Sequence, residues 1–418
     1  MEDIVDTLIA SGETSRLLDH FYLDEKLGFI CRDTHTSTKI PQFEPYEALF
    51  NTAAESMKSN PQGFYDAVKS LPPFEKPILD IISEQLTGRR EQYLAKMHTA
   101  GVLSYLASGF VSCNNLWVKQ DRPYVPSVIA GPLGELAKDL GVQPWINYIF
   151  TGIYNWRLND EQGDLCIENI IARGNLSGLV DESWFMMMGV AVELAGGSIP
   201  KIMLDSLVAI KNKDDDKLVE LLEFMAEELL KLKVITRMKE HCDPDVFYNE
   251  IRVWIKPTSV EHHDGSHGVL FEGISEEPLM ISGSTAAHSA LFFAMDGFFN
   301  ITHGKQAKDM QADFKSHLPQ IQKDFIDLMW KSGNVRRYID QHEESDMKVK
   351  LEEKFNSAVE SLAKFKTLHI ALVQRFIMEP AKKAQQAAMG TGGSTPIDYL
   401  KETREDGRSQ MFKSDSQQ

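Results

Sequence analysis

A mostly α-helical fold is predicted for this 418-residue chain on three observations. Apolar residues recur every three or four positions along most of its length. Strict alternation is confined to a few short stretches, and proline pairs fall between the periodic segments rather than inside them. Together these predict a large all-helical domain over 172–380 and a smaller, mainly helical domain over 1–171 that carries a short sheet. A Gly-rich loop and C-terminal tail are expected over 381–418. A chain this long is expected to split into two packed units or to form one large helical body.

The elements follow in order. "FYLDEKLGFICRD" reads as an extended entry segment, and the Pro-bounded "TKIPQFEPYEALF" leads into a helix. Moderate amphipathic helices then run to about residue 170, punctuated by "LPPFEKP", "DRPYVP" and "AGPLGE". Beyond that point the helices lengthen. "DESWFMMMGVAVELAGGS" (181–198) has acids at its start, an apolar middle and a Gly-Gly stop, and 215–241 is strongly amphipathic. "DPDVFYNEIRVWI" (243–255) opens on Asp243 as N-cap and Pro244 at the first helical position. After a Gly/Asp/His loop comes "GSTAAHSALFFAMDGFFNI", then a helix from roughly 345 to 379. The Gly/Ser-rich and then charged stretch beyond 380 is expected to be mobile.

Composition narrows the partners. Forty-three per cent hydrophobic and 25% charged residues are ordinary globular values, while a net charge of −17 argues against nucleic acid or an anionic membrane as the main partner. Cys31, Cys113, Cys166 and Cys242 are scattered without a C-x-x-C pair, as in a reducing compartment. The acidic start lacks a basic, apolar leader, and no run approaches the roughly 18 apolar residues of a spanning helix. A cytoplasmic protein is expected.

On the 345–379 helix, Leu351, Phe355, Val359, Leu362, Phe365, Leu372 and Phe376 form one stripe, and His369 falls on it. Its imidazole therefore faces inward and needs a partner: a backbone carbonyl, as in an ordinary core histidine, or a metal or haem iron. Asp296 sits among Leu291, Phe292, Phe293, Met295, Phe298 and Phe299, and Lys366 is a candidate mate for it, in a structural pair or a tuning one. Phe247 and Arg252 are five positions apart, about 140° on an α-helix, so both could border one cavity. An arginine there suits capture of a carboxylate, against the plain reading of a surface arginine. "SGSTAAHS" (282–289) would let backbone approach a flat ligand closely. "MGTGGSTP" (389–396) lacks the G-K-[ST] ending of a phosphate loop, which leaves a linker or lid, and "EHHDGSHG" (261–268) fits a solvated loop better than a metal site. From pattern alone the chain is a helical protein with a buried histidine.

Taken together, "YLDEKLGF", "YNW", "VELAGGS", "DPDVFYNEIRVWI", "GVLFEG", "SGSTAAHSALFFAMDGF", "LHIALVQRFIMEPA" and "GTGGSTPIDYLK" resemble, in order and with compatible spacing, the indoleamine 2,3-dioxygenase family. That family includes haem enzymes and related molluscan myoglobins. The resemblance implies one haem b between a small and a large domain, with His369 as proximal iron ligand and Asp296 as its nearby carboxylate. Lys366 stands where the family has an arginine, and Gly283 and Ser284 fall near the haem propionate. It implies a substrate pocket of Tyr148, Phe185, Phe247, Ile255 and Thr285, with Arg252 on the substrate carboxylate and the loop at Thr391, Gly392 and Gly393 closing over it. The expected reaction inserts both atoms of O2 across the indole C2–C3 bond of L-tryptophan or a related indoleamine. An electron donor keeps the iron ferrous, no side-chain acid or base is required, and the protein is expected to be monomeric. An O2-binding or regulatory haem protein of the same fold is the alternative. Three departures bear on substrate affinity: Gly189 replaces a distal serine, Thr151 a pocket cysteine, and S-G-S-T-A the family's G-G-S-A-G. At Gly189 extra room beside the indole is expected.

Overall fold

The structure, a computed structural model, describes residues 2–30, 40–332, 335–385, 390 and 396–413. Helices dominate, as the periodicity predicts, and the described residues contain two two-stranded sheets. Trp156–Leu158 pairs antiparallel with Ile170–Ala172. Tyr124–Val125 pairs in parallel with Leu270–Phe271, tying two sequence-distant parts of the chain together.

Two long helices form the spine. Asp215–Lys231 starts where the Asp214 carboxylate accepts from the Lys217 N–H at 3.0 Å, with Asp215 and Asp216 favourably placed in its first turn. Its buried stripe, Leu218, Leu222, Met225 and Leu229, lies along Asp346–Val373. That second helix is capped by Ser345, whose hydroxyl accepts from the Lys348 N–H at 3.2 Å, and it buries Leu351, Phe355, Val359 and Leu362. Regular α geometry gives way at Gln374–Met378 to a π turn, and helix resumes over Glu379–Lys383. Pro380 has no N–H to return to the carbonyl four residues back, so the wider turn just before it is where the ladder adjusts.

The charged stretch after 395 departs from the mobile tail that its composition suggested. Pro396–Ser409 is a helix packed against Asp346–Val373. Tyr399 and Leu400 are half-buried and Thr403 is buried, while Arg408 grips Glu360 with two bonds of 3.1 and 3.0 Å. The high charge hid this narrow apolar face. One helical stretch among the described residues, Val180–Asn212, is long and apolar enough to cross a membrane, but its most apolar window is 72% buried inside the protein.

Candidate functional site

A cavity of about 220 Å³ opens among the helices that carry the predicted residues. His369, Phe365, Leu372 and Phe376 reach it from the Asp346–Val373 helix and the π turn that follows. Phe185, Gly189 and Val192 reach it from Val180–Ala195, and Phe247 from the turn that opens at Asp243. The aromatic rings of the lining pack in two groups. Phe185 and Phe247 lie 4.4 Å apart between centroids, Phe247 meets Phe376 edge-on at 5.9 Å, and Phe292 stacks on Phe365 at 4.9 Å.

His369 answers the question its stripe posed. Its nearest ring neighbour is Phe365 at 6.1 Å, and among the described residues nothing hydrogen-bonds either ring nitrogen. Burial pushes its pKa down to about 4, so the imidazole is neutral at pH 7. Its lone pair is free for a ligand in the cavity. A neutral, unbonded imidazole on an aromatic wall fits a haem iron and fits poorly with a core histidine satisfied by a carbonyl.

On the same cavity lining lies a buried ionic cluster. Asp296 is 7% exposed, and its Oδ1 stands 3.8 Å from Lys366 Nζ, the predicted mate. The closer partners are residues that sequence reasoning missed. Asp296 Oδ2 accepts from His303 Nε2 at 3.0 Å and from Gln311 Nε2 at 3.1 Å, and His303 Nδ1 meets Asp406 at 2.9 Å. Lys366 donates to the Thr403 carbonyl at 3.0 Å. Burial alone would lower the His303 pKa, but Asp296 and Asp406 together raise it above the ordinary value. Lys366 is held below its usual range by burial, against the pull of the same two carboxylates. No periodic signal marks His303 or Asp406; the unpaired look of Asp296 was the one clue that such partners exist.

The small-residue segment divides. Ser284 and Thr285 line the cavity, with Ser284 Oγ 3.0 Å from Thr151 Oγ1 and Thr285 Oγ1 accepting from the Ala287 N–H at 3.3 Å. Gly283 has another reason to lack a side chain: a Cβ there would stand 2.2 Å from the Ile255 carbonyl oxygen. The close approach it permits is to the protein's own backbone, locked by the Ser284 N–H to Ile255 O bond of 3.1 Å. Near the end of this segment His288, fully buried, stacks on His317 at 4.1 Å, and His317 Nε2 meets Ser282 Oγ at 2.7 Å.

Arg252, Ile255 and Gly283 are not among the described residues that line the cavity. Arg252 is half-buried with its guanidinium 4.7 Å from the centroid of the Tyr248 ring. The predicted 140° between Phe247 and Arg252 does not hold, because Phe247–Ile251 is a π turn and the Arg252 N–H returns to the Phe247 carbonyl. Thr391, Gly392 and Gly393 lie outside the described residues.

The room expected at Gly189 is absent. A Cβ built there would lie 2.8 Å from Tyr148 Cε2 and 3.2 Å from its hydroxyl oxygen. Tyr148 leans over the glycine, its hydroxyl 3.1 Å from the Gly189 carbonyl and 3.2 Å from Glu193 Oε1. A missing side chain reads as space only until the neighbour that fills it is known.

Fold and cavity define a helical pocket protein whose deep aromatic chamber presents one neutral, unbonded imidazole. The family model described as indoleamine 2,3-dioxygenase matches residues 17–410, and the chain belongs to that family, whose cofactor is haem. Its relatives include indoleamine 2,3-dioxygenase 1 of Mus musculus, 25% identical over 93% of this chain and 94% of the mouse protein. Indoleamine 2,3-dioxygenase 2 of Homo sapiens is 26% identical over 93% of this chain and 94% of its own. A myoglobin of Haliotis madaka is 26% identical over 93% of this chain and 97% of the molluscan one.

Proposed function

We propose that this chain is a cytoplasmic, monomeric haem-dependent dioxygenase that cleaves the indole C2–C3 bond of L-tryptophan, or of a related indoleamine, to give N-formylkynurenine. The observation that carries the reading is His369, an imidazole kept neutral by burial and left without a hydrogen bond among the described residues, on the wall of an aromatic cavity in a chain of this family.

When bound, haem supplies the activation of O2 that no side chain here could provide. The chain's own residues hold and orient. His369 would offer its lone pair to the iron, with Asp296, Lys366 and Ser284 lining the same cavity. Phe185 and Phe247 pack the indole, with Tyr148, Gly189 and Thr285 completing the pocket. Arg252 turns from Tyr248 to pair with the substrate carboxylate, a charge-assisted contact worth about 1.5–3 kcal/mol. The apolar wall excludes water from the reacting bond. A separate electron donor keeps the iron ferrous.

The test is direct. Haem-loaded protein, reduced without air, is given O2 and L-tryptophan and followed at the N-formylkynurenine absorbance. Product formation is expected; none at millimolar substrate, beside a stable oxygenated spectrum, overturns the proposal. That outcome would favour the O2-binding reading, which the molluscan relative and the position of Arg252 off the cavity wall support. His369→Ala should abolish the Soret band, and a normal band would detach this residue from the iron.

A further inference from the structure

Glu193 is a carboxylic acid with no ion-pair partner among the described residues. It is 3% exposed on the Val180–Ala195 helix, one turn after Gly189, and is absent from the binding residues proposed above. Two hydroxyls converge on a single oxygen of it: Ser289 Oγ at 2.5 Å and the Tyr148 phenol at 3.2 Å. The phenol has one proton and two acceptors in reach, since the Gly189 carbonyl lies 3.1 Å away. Tyr148 and Gly189 both belong to the cavity wall, and the ring occupies the volume that any side chain at 189 would need.

We infer that Glu193 is a positioning residue for the substrate pocket, holding the Tyr148 ring over Gly189 so that a phenol hydroxyl, carried by residue 148 instead of 189, forms the polar edge of this wall. The inference rests on the reading of the cavity as a haem and substrate pocket. A side chain at 189 would have to push the Tyr148 ring out of its present place, since its Cβ would lie 2.8 Å from Tyr148 Cε2.

Proton placement follows from the geometry. With Glu193 ionised, the Tyr148 proton is drawn to the carboxylate. With Glu193 protonated, that proton is released to the Gly189 carbonyl, and the lone pairs facing the cavity reorient. Burial pushes the Glu193 carboxyl up to about 7, against the hydrogen bonds from Ser289 and Tyr148 that pull it down. The charges on neighbouring elements are engaged elsewhere: Arg237 with Glu168 and Glu240, Arg173 with His98, Asp296 with His303, and Arg252 over Tyr248. Lys233 and Lys239 are exposed. The switch between the two arrangements is thus expected close to neutral pH.

The experiment uses haem-loaded ferrous protein under carbon monoxide, whose C–O stretch responds to polar groups in its pocket, scanned between about pH 5.5 and 8.5. Wild type should show a band shift centred near neutral pH; Glu193→Gln, nearly isosteric and unable to ionise there, should show none. Tyr148→Phe, which keeps ring and carboxyl but removes the phenol, should flatten the response as well. Gly189→Ser, which must displace the ring, should do the same. Tryptophan affinity, read from the Soret shift, should fall about fivefold in Glu193→Gln and in Tyr148→Phe, and no further in the double variant. An invariant wild-type band, or a wild-type response retained in Tyr148→Phe, overturns the inference while leaving the proposed function intact. A wild-type protein that takes up no haem overturns both.

Discussion

Replacing Asp296 by Asn tests the buried cluster that shares the cavity lining with His369. The substitution keeps the shape and removes the charge that faces His303 at 3.0 Å and Lys366 at 3.8 Å. Breaking a buried ion pair from one side typically costs about 3–5 kcal/mol, because the surviving charge stays dry and uncompensated. Here His303 keeps Asp406 at 2.9 Å and Lys366 keeps the Thr403 carbonyl at 3.0 Å, so the low end applies. A loss of about 3 kcal/mol is expected, roughly a hundredfold in the unfolding equilibrium. The assay is urea unfolding at pH 7 followed by far-ultraviolet circular dichroism. The pH dependence gives a second handle. Because the folded-state pKa of His303 is raised, its contribution is complete below the unfolded value of about 6.5 and is lost as pH climbs through the folded one. The gap between wild type and variant should therefore narrow from pH 6 to pH 9. A gap below about 1 kcal/mol at pH 7, or one that widens with pH, would refute the ionic account of this cluster.

Three further outcomes are expected. His317 carries the opposite sign: burial depresses its pKa to about 4, so its share of stability is present above about 6.5 and drains away as pH falls towards 4. His317→Gln, which can still pair with Ser282, should shed an acid penalty of about 3 kcal/mol and unfold at lower pH than wild type; an unchanged acid midpoint would count against it. Phe247→Ala should destabilise the fold by about 3–5 kcal/mol and raise the KM for tryptophan far more than it lowers kcat, read by urea unfolding and steady-state kinetics. Ending the chain at residue 395 should strip the cover from Lys366 and Asp296 and lower the thermal midpoint. An unaltered melt would mean that the 396–409 helix merely rests on the surface.

How far could the residues be read unaided? Helical periodicity carried the spine and the inward face of His369, because a 3.6-residue repeat is a local property of one segment. The apolar surroundings of Asp296 announced that it must have partners, and Lys366 was found because it shares a helix with His369. His303 and Asp406 were invisible, since each reaches the cluster from a segment whose own pattern says nothing about burial. Gly189 misled for the same reason: its environment is set by Tyr148, 41 positions earlier, and by no feature of its own helix. The angle between Phe247 and Arg252 failed because it assumed α geometry where the chain makes a π turn. Local patterns describe faces; what meets those faces is non-local.

The same non-locality sets a timetable for biosynthesis. His303 waits 103 positions for Asp406, and Lys366 waits 37 for Thr403. At a synthesis rate of about 5–20 residues per second, His303 leaves the ribosome roughly 5–20 s before its second carboxylate exists. Through that interval Asp296 and His303 lack Asp406, and Lys366 itself is made only 63 positions after His303, while the aromatic helices are already long enough to associate. The cluster beside His369 can be completed only once Thr403 and Asp406 have emerged, so a cavity ready for a cofactor is expected late in the chain's production. Factors that shield hydrophobic nascent segments should therefore govern how much of the protein ever acquires its haem.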